Sequence, residues 1–226
     1  MKRLLKIAGI IVGVLFLIFL LFVGYINWGP FPTYENKAPE INFTFDSLEI
    51  AEGARIATMT CAGCHMSSDG KFGGMYMKDN DSFGKIYSPN ITHHPTKGKL
   101  DQYSDGELVY LFRTGIMKNG NYAPPWMPKL PHMSDKDMKR LVAFLRSDHP
   151  FVQPSENTTP PIEYNFIAKM LVKMKVFGPL EGPALSSVKV GRPFSPPANG
   201  SSGGSISESL SSERSDLFGK TGSLFE

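Results

Sequence analysis

Two thiols and an imidazole stand together in the run Cys61-Ala62-Gly63-Cys64-His65, and the chain has no other cysteine. Thiols separated by two residues can add to the two vinyl groups of a haem, and the next residue then lies below the iron. Cys-x-x-Cys-His is accordingly the pattern of covalent haem attachment. Two rivals use the same sulfurs. Half of a tetrahedral zinc site is one, but its other ligands would have to come from the scattered His93, His94, His132 or His149, with no second paired hook. A redox-active dithiol is the other, and it wants its cysteines at the start of a helix that follows a strand. Here a helical pattern precedes the pair. A structural disulfide is a poor explanation, because closing so short a loop stabilises little.

Iron in an electron carrier needs a sixth ligand, and a thioether there raises the reduction potential relative to a second imidazole. Eleven methionines are available. Met127 lies in the Pro-rich stretch NYAPPWMPKLPHMSDKD, where a rigid turn can present it. His132 and Met133 are its nearest competitors, with Met75 and Met77 behind them. His93 and His94 fall in a Pro-containing loop and are expected to be exposed rather than to ligate.

The elements that must position these groups can be read from periodicity and end signals. In SLEIAEGARIATMT, Ile50, Ala54 and Ala57 recur at helical spacing with Gly53 on the same small-residued face, and Glu49 and Glu52 suit the positive end of the helix dipole. Ile56 and Met59 fall off that stripe. Residues 67–103 are rich in Gly, Ser, Asn, Asp and Pro, as in a loop wrapped around something large. Ser104 with Glu107 forms a capping box that opens a helix, and Gly115 is its expected stop. Ser134 with Asp137 gives a similar start to a last helix carrying Met138, Leu141, Val142 and Leu145, with Phe144 at its edge.

Before this unit, residues 7–26 form twenty consecutive uncharged positions, roughly 30 Å of helix and enough to cross a hydrocarbon core. Lys2, Arg3 and Lys6 precede the span, so the positive-inside bias puts the amino terminus in the cytoplasm and the rest outside. No convincing cleavage site follows Tyr25, which favours a retained anchor over a signal peptide. These three cations also account for the net charge of +3, leaving 21 basic and 21 acidic residues in the remainder. Nucleic acid is not an expected partner, since phosphate tracking needs clustered Lys and Arg.

The expected organisation is therefore a cytoplasmic tip and membrane anchor (1–28), a spacer (29–46), a helical domain (47–150), a linker (151–160), an amphipathic helix (161–178) and a Gly/Ser-rich disordered tail (179–226). In the amphipathic segment Ile162, Phe166, Met170 and Phe177 form one stripe, with Lys169 and Lys173 apart from it. It is expected either to dock on the domain or a partner, or to lie on anionic lipid.

The strings EGARIATMTCAGCH, IYSPNIT, YSDGELVYLFRTGI and MPKLPHMSDKDMKRLVAFLRS carry a resemblance. The segment from about Ser47 to Ser147 resembles the class I cytochrome c domain, and most closely the cytochrome subunits of bacterial membrane-bound alcohol or sugar dehydrogenases. The resemblance implies an all-α fold of short helices and long loops around one covalent haem c, preceded here by one transmembrane helix. It maps the family's helix-packing glycine and aromatic onto Gly53 and Phe144. The methionine ligand, seventeen residues before that aromatic, maps onto Met127 rather than Met133. It makes Pro89 the residue whose carbonyl holds the proximal His65, and Tyr103 and Arg113 propionate-side residues. Relatives with a similar anchor and linker continue into a second haem domain; no second Cys-x-x-Cys-His follows here, and the Gly/Ser tail is expected in its place.

With both axial positions filled, the expected function is single-electron transfer without catalysis of its own, at the periplasmic face of a bacterial inner membrane. The expected partners are redox proteins such as dehydrogenase or oxidase subunits, and the lipid bilayer. A haem enzyme or ligand sensor with an open distal face, and a structural metal-binding adaptor, are the alternative readings.

Overall fold

The computed structural model describes residues 2–179. Along the chain come α1 (Lys2–Trp28), α2 (Ser47–Thr60), α3 (Ala62–His65), β1 (Gly84–Lys85), α4 (Asp105–Thr114), α5 (Asp135–Leu145), β2 (Glu163–Tyr164) and α6 (Phe166–Lys173), with short 3-10 turns between several of them. The expected tail lies, but for its first residue, outside the described residues.

Helix α1 is apolar throughout the span read from the sequence, and its side chains are exposed over almost its whole length. No fold of a soluble domain covers it, as suits a helix whose solvent is hydrocarbon.

The domain is built on the crossing of α2 and α5. Helix α2 starts in a capping box that the sequence reading passed over: Asp46 accepts from the Glu49 amide at 2.7 Å and Glu49 returns to the Asp46 amide. Its buried face is Gly53, Ile56 and Ala57, so the apolar stripe is turned from the one expected, with Ile56 inside and Ile50 and Ala54 only half-buried. Gly53 makes the crossing possible. A Cβ there would run into the Arg140 carbonyl and stand 2.8 Å from Phe144 Cβ. Phe144 is fully buried and meets Phe72 edge-on at 5.9 Å between ring centroids, which ties the helix pair to the loop that follows the cysteines.

The capping box at Ser104 and Glu107 forms as expected, and α4 ends at Gly115 in the left-handed region (φ 78°). Ser134 caps α5, accepting from the Asp137 amide at 3.1 Å. Around the core of Leu108, Val109, Leu141, Val142, Leu145 and Val152, the long loop of residues 67–103 contains only β1 and two 3-10 turns and is otherwise held by hydrogen bonds. Asn90 is its centre: its amide nitrogen donates to the Ser155 and Asn157 carbonyls, both at 3.0 Å, while its oxygen accepts from Thr92.

These bonds change the expected boundaries. Residues 151–160 are not a free linker: Ser155 is buried, its hydroxyl donates to Asp69, and Asn157 donates to the Gly73 and Gly74 carbonyls. The chain then pairs β2 against β1 in antiparallel register, Gly84 with Tyr164 and Lys85 with Glu163. This two-stranded ribbon is the one departure from an all-helical fold among the described elements. It shortens the expected 161–178 helix to Phe166–Lys173, capped by Asn165. The spacer is likewise fixed, through a bridge between Thr33 and Asn121.

Because the obstacle at Gly53 is backbone, the crossing cannot yield by a side-chain rotation. Gly53→Ala is expected to cost about 1–3 kcal/mol, as overpacking of a close contact does. Denaturant unfolding of the full chain measures it, and an unchanged midpoint would show that the helices part freely.

Candidate cofactor-binding site

Helix α2 runs straight into the cysteine pair. Cys61 closes α2 by donating its amide to the Ala57 carbonyl, and its own carbonyl accepts from the Cys64 and His65 amides, so α3 turns the three side chains out from one short helical turn. Both thiols are free. Burial pushes the Cys61 thiol up, against a weaker lowering by the Thr60 hydroxyl 3.4 Å away. A thiol held protonated is the reverse of what a dithiol oxidoreductase needs at its attacking cysteine.

His65 is buried, and burial pushes its pKa down, which keeps the ring neutral. Its Nδ1 lies 3.0 Å from the Pro89 carbonyl oxygen. A carbonyl can only accept, so Nδ1 carries the proton and the lone pair of Nε2 is left for a ligand. The neighbouring Ser88 hydroxyl donates to the Cys64 carbonyl, pinning the same loop to α3 on both sides of the imidazole.

Cys61, Cys64 and His65 open onto a largely apolar cavity of about 890 Å³, within the size range of cofactor pockets. Pro89, Tyr103 and Met127 line it too, together with Leu108 and Phe112 of α4 and Leu141 and Leu145 of α5. Met127 follows a turn in which its amide donates to the Pro124 carbonyl at 3.0 Å. Lys129 steadies that turn: its ammonium donates to the Ala123 carbonyl at 3.1 Å and sits 4.6 Å from the Tyr122 ring centre, and burial pushes its pKa down to about 8. A cavity with two thiols and a neutral imidazole on one wall, thioethers elsewhere and apolar side chains between them fits a haem.

Of the residues expected here, the structure brings together Cys61, Cys64, His65, Pro89, Tyr103 and Met127, and leaves Arg113 out. The Arg113 guanidinium donates to the Pro131 and Met133 carbonyls, both at 3.0 Å, and to Asp135 at 2.7 Å. It ties the end of the Met127 loop to the start of α5 and is not among the groups lining the cavity. Among the competing methionines, Met133 packs on the core, Met75 is exposed, and His132 is exposed. Met77 does line the cavity, and so does Met117, which the sequence reading did not single out. His93 and His94 depart from the exposed state expected: both are half-buried, paired with Asp101 at 2.7 Å and Glu156 at 3.1 Å. These pairings keep them from the cysteines, and no cluster of three metal-binding side chains occurs among the described residues.

Sequence reasoning also missed the walls supplied from outside the helical domain. Phe31 and Tyr34 of the spacer, and residues 158–162 and Tyr164 beyond α5, line the same cavity. Their rings join across it: Phe31 stacks edge-on to Tyr164 at 5.8 Å, and Tyr164 lies 6.1 Å from Trp126, beside Met127. Burial pushes the Tyr164 hydroxyl up to about 12, so it stays neutral. The aromatic richness of both flanks was the available signal.

Residues 50–148 match the family model of cytochrome c, and the chain carries a cytochrome c domain. Its relatives include the cytochrome c subunit of alcohol dehydrogenase (quinone) from Gluconacetobacter polyoxogenes and from Komagataeibacter europaeus. Each is 35% identical over 117 residues, covering 49% of this chain and 24% of the relative. A nicotinate dehydrogenase subunit from Pseudomonas putida is 34% identical over 113 residues, 49% of this chain and 9% of that protein. The chain thus spans a quarter or less of the length of these curated relatives.

If Arg113 is a latch, Arg113→Met should lower stability by about 2 kcal/mol, since two charge-assisted bonds to backbone carbonyls are lost and the half-exposed Asp135 pair adds little. The reduction potential of the haem-loaded protein should move little. A large change in potential at unchanged melting temperature would instead put Arg113 beside the cofactor.

Proposed function

We propose that this chain is a membrane-anchored cytochrome that passes single electrons between a respiratory donor and an acceptor cytochrome or oxidase, without catalysis of its own. In this reading Cys61 and Cys64 hold one haem c through thioether bonds, His65 ligates through Nε2, and Met127 supplies the second axial ligand. The observation that carries it is the neutral, buried His65, proton-locked by the Pro89 carbonyl and opening on the apolar cavity beside both thiols. A haem bound there supplies one-electron redox chemistry. The protein's share is to exclude water, to fix the imidazole so that little reorganises on electron transfer, and to hold the thioether in place.

The donor class follows from likeness: the relatives' names tie them to quinone-linked alcohol dehydrogenase and to nicotinate dehydrogenase, so a membrane dehydrogenase is the proposed partner. Orientation follows from charge. Lys2, Arg3 and Lys6 keep the amino terminus in the cytoplasm, which leaves the haem domain on the periplasmic side of the inner membrane. Confinement beside membrane complexes raises the effective concentration of the exposed redox site. The region from the spacer to α6 is proposed as one folded unit.

Loss of the thioether tests the ligand set. In the oxidised protein, Met127→Ala should abolish the weak far-red band of thioether-ligated haem and lower the reduction potential, while Met77→Ala, Met117→Ala and Met133→Ala keep both. A band that survives in M127A and disappears in M77A or M117A would move the ligand to that position.

A further inference from the structure

Helix α6 packs beside the end of α1. The contact is specific: the ammonium of the buried Lys173 donates to the Tyr25 carbonyl at 2.7 Å, which also accepts from the Gly29 amide, and to the carbonyl of Gly29 just beyond α1. The same cation lies 5.1 Å from the Tyr25 ring centre and 5.4 Å from that of Phe31. Lys173 is therefore not on a solvent face, as its place in the sequence pattern suggested. It fastens α6 at the level of Tyr25 to Gly29, where the apolar span ends and Trp28 stands exposed.

That fastening leaves another side of α6 uncovered. Ile167 and Met174, seven residues apart and so on one face, are 54% and 59% exposed, and Val176 just beyond is 61% exposed. Phe166 at the start of the helix is exposed as well, and Lys169 and Lys175 carry the positive charge nearby. Apolar side chains and flanking lysines at the mouth of a membrane span match the interfacial zone, where acyl chains take the former and anionic headgroups the latter. The surface is continuous with α1, whose own apolar side chains are exposed along almost the whole span, Ile26 at its end being buried.

We propose that the bilayer surface is the partner of α6: the face of Ile167 and Met174 enters the headgroup boundary of the leaflet through which α1 exits, and Lys173 locks it there. This rests on the reading of α1 as a membrane span. The haem domain is then held against the membrane at two points instead of swinging on a tether, so its cavity keeps a fixed tilt to the bilayer.

Nitroxide labels on the haem-loaded full chain, in vesicles of phosphatidylethanolamine and phosphatidylglycerol, test it through their access to oxygen and to a water-soluble nickel chelate. The labelled variants are Ile167→Cys, Met174→Cys, Leu48→Cys as an exposed control on α2, and Val12→Cys as a control on the span. The expected result is oxygen access over nickel access at 12, 167 and 174 and the reverse at 48, with the preference at 174 lost when Lys173→Gln is added. Nickel access at 167 and 174 with oxygen access at 12 overturns the proposal and leaves the anchor standing. Nickel access at 12 overturns both. Exclusion of both reagents from 167 and 174 also overturns it, since a protein would then cover that face.

Discussion

The hydrogen bond from His65 Nδ1 to the Pro89 carbonyl organises the molecule. It sets the tautomer of the one imidazole that faces the cavity, and it does so with a backbone atom whose position depends on a loop, not on a helix. Three consecutive residues carry that duty. Ser88 binds the Cys64 carbonyl, Pro89 holds His65, and Asn90 takes the carbonyls of Ser155 and Asn157. The cysteine turn, the proximal loop and the segment after α5 are thereby fixed to one another, although they are far apart in sequence. A loop with little regular structure keeps its shape through bonds within itself, such as those from the Met77 amide to Ile86 and from the Lys99 amide to Asn90, and through side chains that bind its neighbours.

Around this centre, the small helical frame is made stiff where it is thinnest. Gly53 lets α2 and α5 touch backbone to backbone, and Phe144 carries the contact on to Phe72 and the loop behind the cysteines. On the other side of the cavity Arg113 and Lys129 both end on backbone carbonyls of the Met127 loop. Each spends its charge on fixing a Pro-rich turn. The two flanks then close the cavity with aromatic rings, Phe31 from before the domain and Tyr164 from after it.

Much of this was legible in the sequence, for reasons that differ by element. The cysteine-histidine motif points to its chemistry by spacing, and the helical pattern before it weighs against the rival dithiol. The boxes at Ser104 and Glu107 and the cap at Ser134 are local signals, satisfied by neighbours in the chain, so they form where they are read. Burial on α2 was less legible, because small residues surround the helix on several sides and only the crossing with α5 decides which are covered; Ile56 went inside for that reason. The boundaries at 150 and 160 failed because a Pro- and Thr-rich string has the composition of a linker, and the bonds of Asn157 and the pairing of Gly84 with Tyr164 are contacts between segments remote in the chain. Lys173 escaped for a similar reason: a lysine is read as solvated unless the carbonyls at the end of another helix are known to be within reach. Arg113 looked like a cofactor contact by likeness, and the partners it finds belong to the loop.

The account stands on two sulfurs bonded to a porphyrin. Intact-mass measurement of the denatured chain, produced in a host that exports it and matures c-type cytochromes, tests this most directly. The predicted result is a polypeptide heavier by one haem that survives acid extraction, with the added mass falling away from the Cys61→Ser, Cys64→Ser double variant. A chain of unmodified mass from the same host, or haem that washes out in acid, would contradict it.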